Sequence, residues 1–407
     1  MSWEKVKLGE LYNVHNGLSK GKQFFGSGHP FLSFSTVFNN WFLPKTLSDL
    51  VQSSDKERES YSILRGDIFI TRTSETMDEL GMSSVALRDY PNATYNGFTK
   101  RLRPIDIQRI LPEFIGYYLR CSEFRNQFVA FSTMTTRASL RNEDLLSIEV
   151  PVPPMPTQRR IADILSTYDD LIENNRNQIK LLEEAAQRLY KEWFVDLRFP
   201  GHKHTRIVDG VPEGWETLHI SDVCDTIGGG TPSTKVKEYY QNGNIPWVTP
   251  TDITKNNALV LLDTAIKITN EGLNNSSAKM VPSGTILMTS RASVGFFGIC
   301  DFPVCTNQGF ISCVPYQHNM QMYLLYNLLN RVDEIRGKAG GSTYLEISKK
   351  TFRDFEIVVP NIQVLTLFQT TTEKFIERMR ILSKQILELQ QARDRLLPKL
   401  MSGEVGV

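Results

Sequence analysis

A chain of 407 residues is too long for one ordinary domain and fits two of average size plus long helices. Its 41% hydrophobic and 22% charged residues are those of a globular protein rather than a disordered or membrane-embedded one. A formal net charge of +1 argues against a protein that holds nucleic acid alone through a broad basic surface.

The first 150 or so residues read as a globular unit. Short runs at 67–72 and 84–88 alternate like strands between Gly, Asn and Pro turns. A helix is expected over 111–131, where Phe114, Tyr117, Tyr118, Phe124 and Phe128 recur at helical spacing as core. Pro151, Pro153, Pro154 and Pro156 should end the last strand and delay helix until Thr157 can cap it. Over 161–194, steps of three and four select Leu165, Tyr168, Ile172, Asn175, Ile179, Leu182, Ala186, Leu189 and Trp193. This is an apolar seam with one Asn in it, the pattern of a helix lying along another helix. Pro200, Gly201, Gly210, Pro212 and Gly214 then mark a linker. From 215 the plan returns, with strands at 285–289 and 310–314 and a helix near 322–335. Pro360-Asn361 should start a last helix and Pro398 should stop it.

The chain repeats itself. A second seam follows 207 residues after the first: Thr372, Phe375, Met379, Leu382, Ile386, Leu389, Arg393, Leu396 and Leu400. Ser147-Ile-Glu-Val-Pro-Val-Pro153 answers Asp354-Phe-Glu-Ile-Val-Val-Pro360, and the opening at Trp3-Glu4 answers Trp215-Glu216. Gly66-Asp-Ile-Phe-Ile-Thr71 answers Gly284-Thr-Ile-Leu-Met-Thr289, and Asn96-Gly-Phe98 answers Gln308-Gly-Phe310. A globular unit followed by a long helix has been duplicated in tandem. Two seams in one chain make each other the natural partner. An antiparallel pair would return the second helix to the first unit, with roughly 30 residues of helix spanning about 45 Å.

Catalytic signals are weak. The segment 16–23 has Asn16 where a phosphate loop needs Gly and Gln23 where it needs Ser or Thr. Gly228-Gly-Gly-Thr-Pro-Ser-Thr-Lys235 lacks dinucleotide-loop spacing, and no Asn/Asp-Pro-Pro-aromatic motif of amino-methyltransferases occurs. The six His are scattered, and His202 and His204 have no Cys nearby, so no catalytic or metal residue is assigned. The five cysteines lack CxxC pairing and are expected to be buried free thiols. No apolar run reaches the length of a membrane span and Met1-Ser-Trp-Glu-Lys5 is no signal peptide, so a cytoplasmic location is expected.

What remains is a set of polar, Gly-rich loops with cations, at matched places in both units. The first unit offers Lys20, Lys22, Arg72, Thr73, Arg137 and Ser139. The second offers Thr231, Ser233, Lys235, Arg291, Ser293, Lys338, Ser342 and Tyr344. Amides and hydroxyls of this kind take phosphate oxygens, and Arg and Lys reach guanine edges in the major groove. Each loop alone also reads as a solvated turn; repetition of the chemistry shifts the set toward function. Arg72 and Arg291 are expected at equivalent places.

On these features the chain resembles the specificity subunit of a type I DNA restriction–modification system. The duplicated plan carries the resemblance, with the Trp-Glu openings, Gly228-Gly-Gly-Thr-Pro-Ser233, the Pro-rich stop before each helix and Arg188-Leu-Tyr-Lys-Glu-Trp-Phe-Val-Asp-Leu-Arg-Phe199. It implies an α+β chain of two tandem α/β target-recognition domains separated by two long helices in an antiparallel coiled coil, related by an internal pseudo-two-fold. The expected divisions are domain 1 at 1–156, central helix at 157–200, linker at 201–214, domain 2 at 215–360 and C-terminal helix at 361–407. The resemblance implies a non-catalytic, cofactor-free chain whose partners are double-stranded DNA and two modification subunits, which hold S-adenosylmethionine. Restriction subunits using ATP and Mg would join them. A stand-alone two-domain regulator on a coiled-coil rod is the alternative. Two departures stand out: Thr157-Gln158 replaces the usual Glu-Gln, and the second copy, Pro360-Asn-Ile-Gln-Val-Leu365, has lost most of that motif.

Overall fold

The computed structural model describes residues 3–74, 80–131, 133–134, 138–139, 141–256, 258–341 and 344–407. The chain divides into two compact units, Met1–Leu171 with Leu389–Val407, and Ile172–Glu388. Each unit therefore owns a globular domain and a piece of both long helices.

The two units are built alike. In the first, strands Tyr12–Asn16, Thr99–Pro104, Ile68–Thr71 and Ser83–Val85 lie side by side, all antiparallel. In the second, Cys224–Gly228, Phe310–Pro315, Ile286–Thr289 and Phe297–Ile299 take the same order. Ile68–Thr71 and Ile286–Thr289 are buried at every residue, as inner strands covered on both faces must be. Gly66 and Gly284 open these strands at φ +90° and +78°, which accounts for a glycine at both places. A second small sheet in each unit contains one parallel pairing, Leu32 with Tyr95 and Val248 with Thr306. The matched Trp-Glu openings and pre-helix segments close on each other as ribbons: Lys5–Lys7 with Glu149–Pro151, and Glu216–His219 with Glu356–Val359.

The aromatic helix of the first unit is two helices, Pro112–Tyr118 and Ser122–Phe131, and its second-unit counterpart is Gln321–Asn330 and Val332–Gly337. Phe114, Tyr117, Tyr118, Phe124 and Phe128 are core, as their spacing implies. All five cysteines are free and buried, and burial pushes the Cys300 and Cys305 thiols up to about 12.

The long helices run Met155–Tyr190 and Ile362–Ser402. The first starts earlier than its prolines suggest, because Pro156 sits in the first turn, where a missing N–H costs nothing. Asn361 caps the second, its Oδ1 accepting from Val364 N at 3.0 Å. Pro398 does not stop that helix. It is solvent-facing, while Leu397, Leu400 and Met401 are buried in the first unit's core and carry the helix on. Their burial outweighs the local cost of proline.

Within each unit the helices pair antiparallel. In the first unit, Ile161 and Leu165 share a core with Leu397 and Leu400. Arg393, a charged residue in the seam, pairs with Asp169 and lies 4.4 Å over the Trp41 ring. In the second unit, Asn175 Nδ2 donates to Gln385 Oε1 at 3.3 Å and Arg378 donates to Gln178 at 3.3 Å. The one Asn of the seam thus meets a polar partner, an arrangement that fixes helix register.

The helix-start motif persists in the second copy, displaced by one turn. Gln158, 1% exposed, accepts from Leu111 N at 2.7 Å, the amide just ahead of the aromatic helix. Gln369, 3% exposed, accepts from Met322 N at 2.9 Å in the second unit. Relative to the shared prolines Pro153 and Pro360, Gln369 lies four residues further along, about one helical turn, so the glutamine keeps its face. Gln158→Leu should orphan the Leu111 N–H and cost about 1–3 kcal/mol. Chemical denaturation should show that loss, and an unchanged midpoint would reject the role.

Candidate nucleic-acid interface

In the first unit, three loops distant in sequence meet at one end of the main sheet. After strand Tyr12–Asn16 the chain turns onto the 95–99 segment: Leu18 N donates to Tyr95 O at 2.9 Å. A Cβ on Gly17 would stand 2.0 Å from the Asn96 carbonyl oxygen, so only glycine passes here. Arg72 N donates to Phe98 O at 3.1 Å, holding the second loop. Thr73 and Ser74 then pair with Ser139 and Ala138, bringing in the third.

The second unit repeats the assembly. Gly230 N donates to Thr306 O at 2.9 Å, and the Thr231 hydroxyl donates to the Gln308 side chain. Ser290 N donates to Gly309 O at 2.7 Å, and Ala292 N to Leu345 O at 2.8 Å. Gly340 and Glu346 exchange backbone bonds of 3.0 and 2.8 Å, and Glu346 also bridges to Arg291.

The candidate side chains are not alike in availability. Lys22 is exposed in a short turn, but Lys20 is committed: its Nζ lies 2.6 Å from Gln52 O and 2.8 Å from Glu57. That ammonium, with Ser54, holds the Glu57 carboxyl below the usual range. Thr231, Ser233, Lys235, Ser293, Lys338 and Tyr344 are exposed. Thr73 and Ser139 are placed by their backbone in the small sheet. Arg137 and Ser342 lie outside the described residues. Arg291 is about half exposed, with Nε 3.7 Å from Glu346, a solvent-screened pair that a phosphate or base could displace.

Arg72 and Arg291 do not occupy equivalent places. Thr71 pairs with Thr99 and Thr289 with Phe310, so the register partner of Arg72 is Ser290. Arg291 lies one residue further from Gly284 than Arg72 does from Gly66, and it reaches the surface while Arg72 is partly buried.

The family described as Type I restriction modification DNA specificity domain matches this chain twice, over residues 1–184 and 212–391. The chain belongs to that family. The MjaIX type I restriction enzyme specificity subunit of Methanocaldococcus jannaschii is 26% identical, covering 100% of this chain and 94% of the relative. The HindI specificity subunit of Haemophilus influenzae is 24% identical, covering 99% of both. In structure, the type I restriction-modification S subunit from M. genitalium superposes over 98% of this chain and 96% of its own, with a TM-score of 0.57 at 15% identity. That likeness is one of fold.

For a specificity-domain protein, the loop clusters also contain residues that sequence reasoning passed over. Gln308 holds Thr231, and Phe98 stands 53% exposed beside Arg72. The ladder sets Thr99 where the second unit has Phe310, so Asn96-Gly-Phe98 and Gln308-Gly-Phe310 are one residue out of register rather than a repeat in place, and their lack of charge hid both at the meeting point of the loops.

Proposed function

We propose that this chain is the DNA sequence-recognition subunit of a type I restriction–modification complex. Each domain reads one half of a bipartite asymmetric site through its loop cluster. The helices dock modification subunits that bind S-adenosylmethionine and methylate adenine, and they set the spacer between half-sites. ATP- and Mg-dependent restriction subunits join that core in the cytoplasm, and this chain itself performs no catalysis. The observation that carries the reading is the loop cluster assembled by the same bonds in both halves of a chain of this family. A near-neutral chain suits the role, because partner subunits can share the phosphate clamp.

The test is half-site selectivity. Arg291→Ala in the assembled complex should weaken discrimination in the second domain's half-site by about 1–3 kcal/mol, as for loss of a base-reading arginine, and leave the other half-site untouched. Mapping methylated adenines across a genome reads both halves at once. Equal loss at both halves, or none, would reject the assignment.

A further inference from the structure

Two lysines outside the predicted loops sit at one corresponding place in the two units. Lys100 lies on strand Thr99–Pro104 opposite Asn16, the last residue of Tyr12–Asn16. It is only 6% exposed, and its Nζ donates to Asn142 Oδ1, the first residue of helix Asn142–Ser147. In the second unit the strand position opposite Gly228 is Ile311, so no lysine can come from the strand. Instead Lys349, the first residue of helix Lys349–Arg353, supplies it: a Cβ on Gly228 would stand 3.3 Å from Lys349 Nζ. The two short helices correspond, since each is followed by the same anchor, Leu8 N to Ile148 O and Ile220 N to Phe355 O, both 2.9 Å. Asn142 and Lys349 are therefore the same position. Cross-strand partners share a face of the sheet, so Lys100 emerges on the face where Lys349 lies over Gly228. One unit delivers its ammonium from the strand and the other from the helix.

The Lys100 site is built for an anion. An ammonium has three donors, and among the described residues only Asn142 accepts from this one. Burial, and after it the charge of Arg72, hold the Lys100 pKa below the usual value, and Asp144 offsets this in part without an ion pair. Arg72 Nε is itself buried with no hydrogen-bond partner among the described residues. A buried ammonium beside a second cation, with no carboxylate bonded to either among the described residues, is costly unless a ligand brings negative charge. Both lysines stand where a strand runs into the loop cluster.

We infer that Lys100 and Lys349 are equivalent DNA-backbone contacts, one per domain, each presenting its ammonium to a phosphate oxygen at the base of the loop cluster. This rests on the DNA-recognition reading. A phosphate contact fixes the docking of the domain without reading sequence.

The test is the salt dependence of DNA binding by the full-length chain in its complex. Lys349→Gln should lower the slope of log K against log salt by about 0.9, equally on cognate and non-cognate duplexes, and Lys100→Ile should do the same. The pair Lys100→Ile with Asn142→Lys moves the ammonium from strand to helix, as in the second unit, and should restore the slope. A merely structural Lys100 would not be rescued this way. Slopes unchanged in both single variants, in a complex that still binds DNA salt-dependently, overturn the inference alone. A parent complex that does not bind DNA overturns the recognition reading instead.

Discussion

Asp67→Ala is expected to destabilise the first unit by about 3 kcal/mol, the low end for breaking a buried ion pair, because Arg103 still reaches water. Asp67 is fully buried at the start of strand Ile68–Thr71 and accepts from Arg103 Nε at 2.8 Å and Nη2 at 2.6 Å. It also accepts from Leu64 N at 2.8 Å, closing the turn that Gly66 makes possible. Removing the carboxylate leaves that amide without its acceptor and the guanidinium with Ser62 alone, whose carbonyl accepts from Nη2 at 2.9 Å. The strand affected is the one that ends beside Arg72 and the loop cluster. Hydrogen exchange should therefore quicken at Ile68–Thr71 and in the paired Thr99–Pro104, with no change in Ile286–Thr289. Asp67→Asn keeps an acceptor for Leu64 and should cost less. Unaltered protection in both variants would mean that the pair contributes nothing to holding the strand.

The duplication, the helices and the central strands were legible because their signals are local and periodic. Leu165, Ile172 and Ile179 mark a helix whatever they pack on, and Gly66 and Gly284 announce a backbone conformation that few other residues adopt. What escaped the sequence depends on distance along the chain. Pro398 looked like a stop because the burial of Leu397, Leu400 and Met401 in the other end of the chain is not a local property. Gln369 looked lost because one added helical turn moved it in number but not in face. Arg72 and Arg291 looked alike because both follow a Gly-started strand; only the ladder shows them one step apart. Lys100 gave no signal, since a lysine in a strand usually points to solvent, and its partner Asn142 is 42 residues away.

Adding one heptad to each long helix should lengthen the spacer between half-sites without changing either half-site. The insertion belongs between Leu171 and Ile172 and between Glu388 and Leu389, where the chain passes from one compact unit to the other. The internal contacts of both units are then untouched, including Asp169 with Arg393 and Asn175 with Gln385. A site between Ile179 and Leu182 would be worse, because Gln178 faces Arg378 and the opposing insertion would have to fall there rather than near Ile386. Seven residues add about 10 Å to each helix and keep the apolar seam in phase. At about 3.4 Å per base pair, this corresponds to about three pairs, so the spacer should grow by roughly two to four. Three pairs also rotate the groove by roughly 100°, because a turn holds about 10.5 pairs. Activity should therefore fall even at the new spacing, unless DNA twist or helix supercoiling absorbs the difference. Mapping methylated adenines in a host carrying the insertion reads spacing and half-sites together. Methylation at the original spacing with undiminished efficiency would mean that partner subunits, rather than these helices, set the distance.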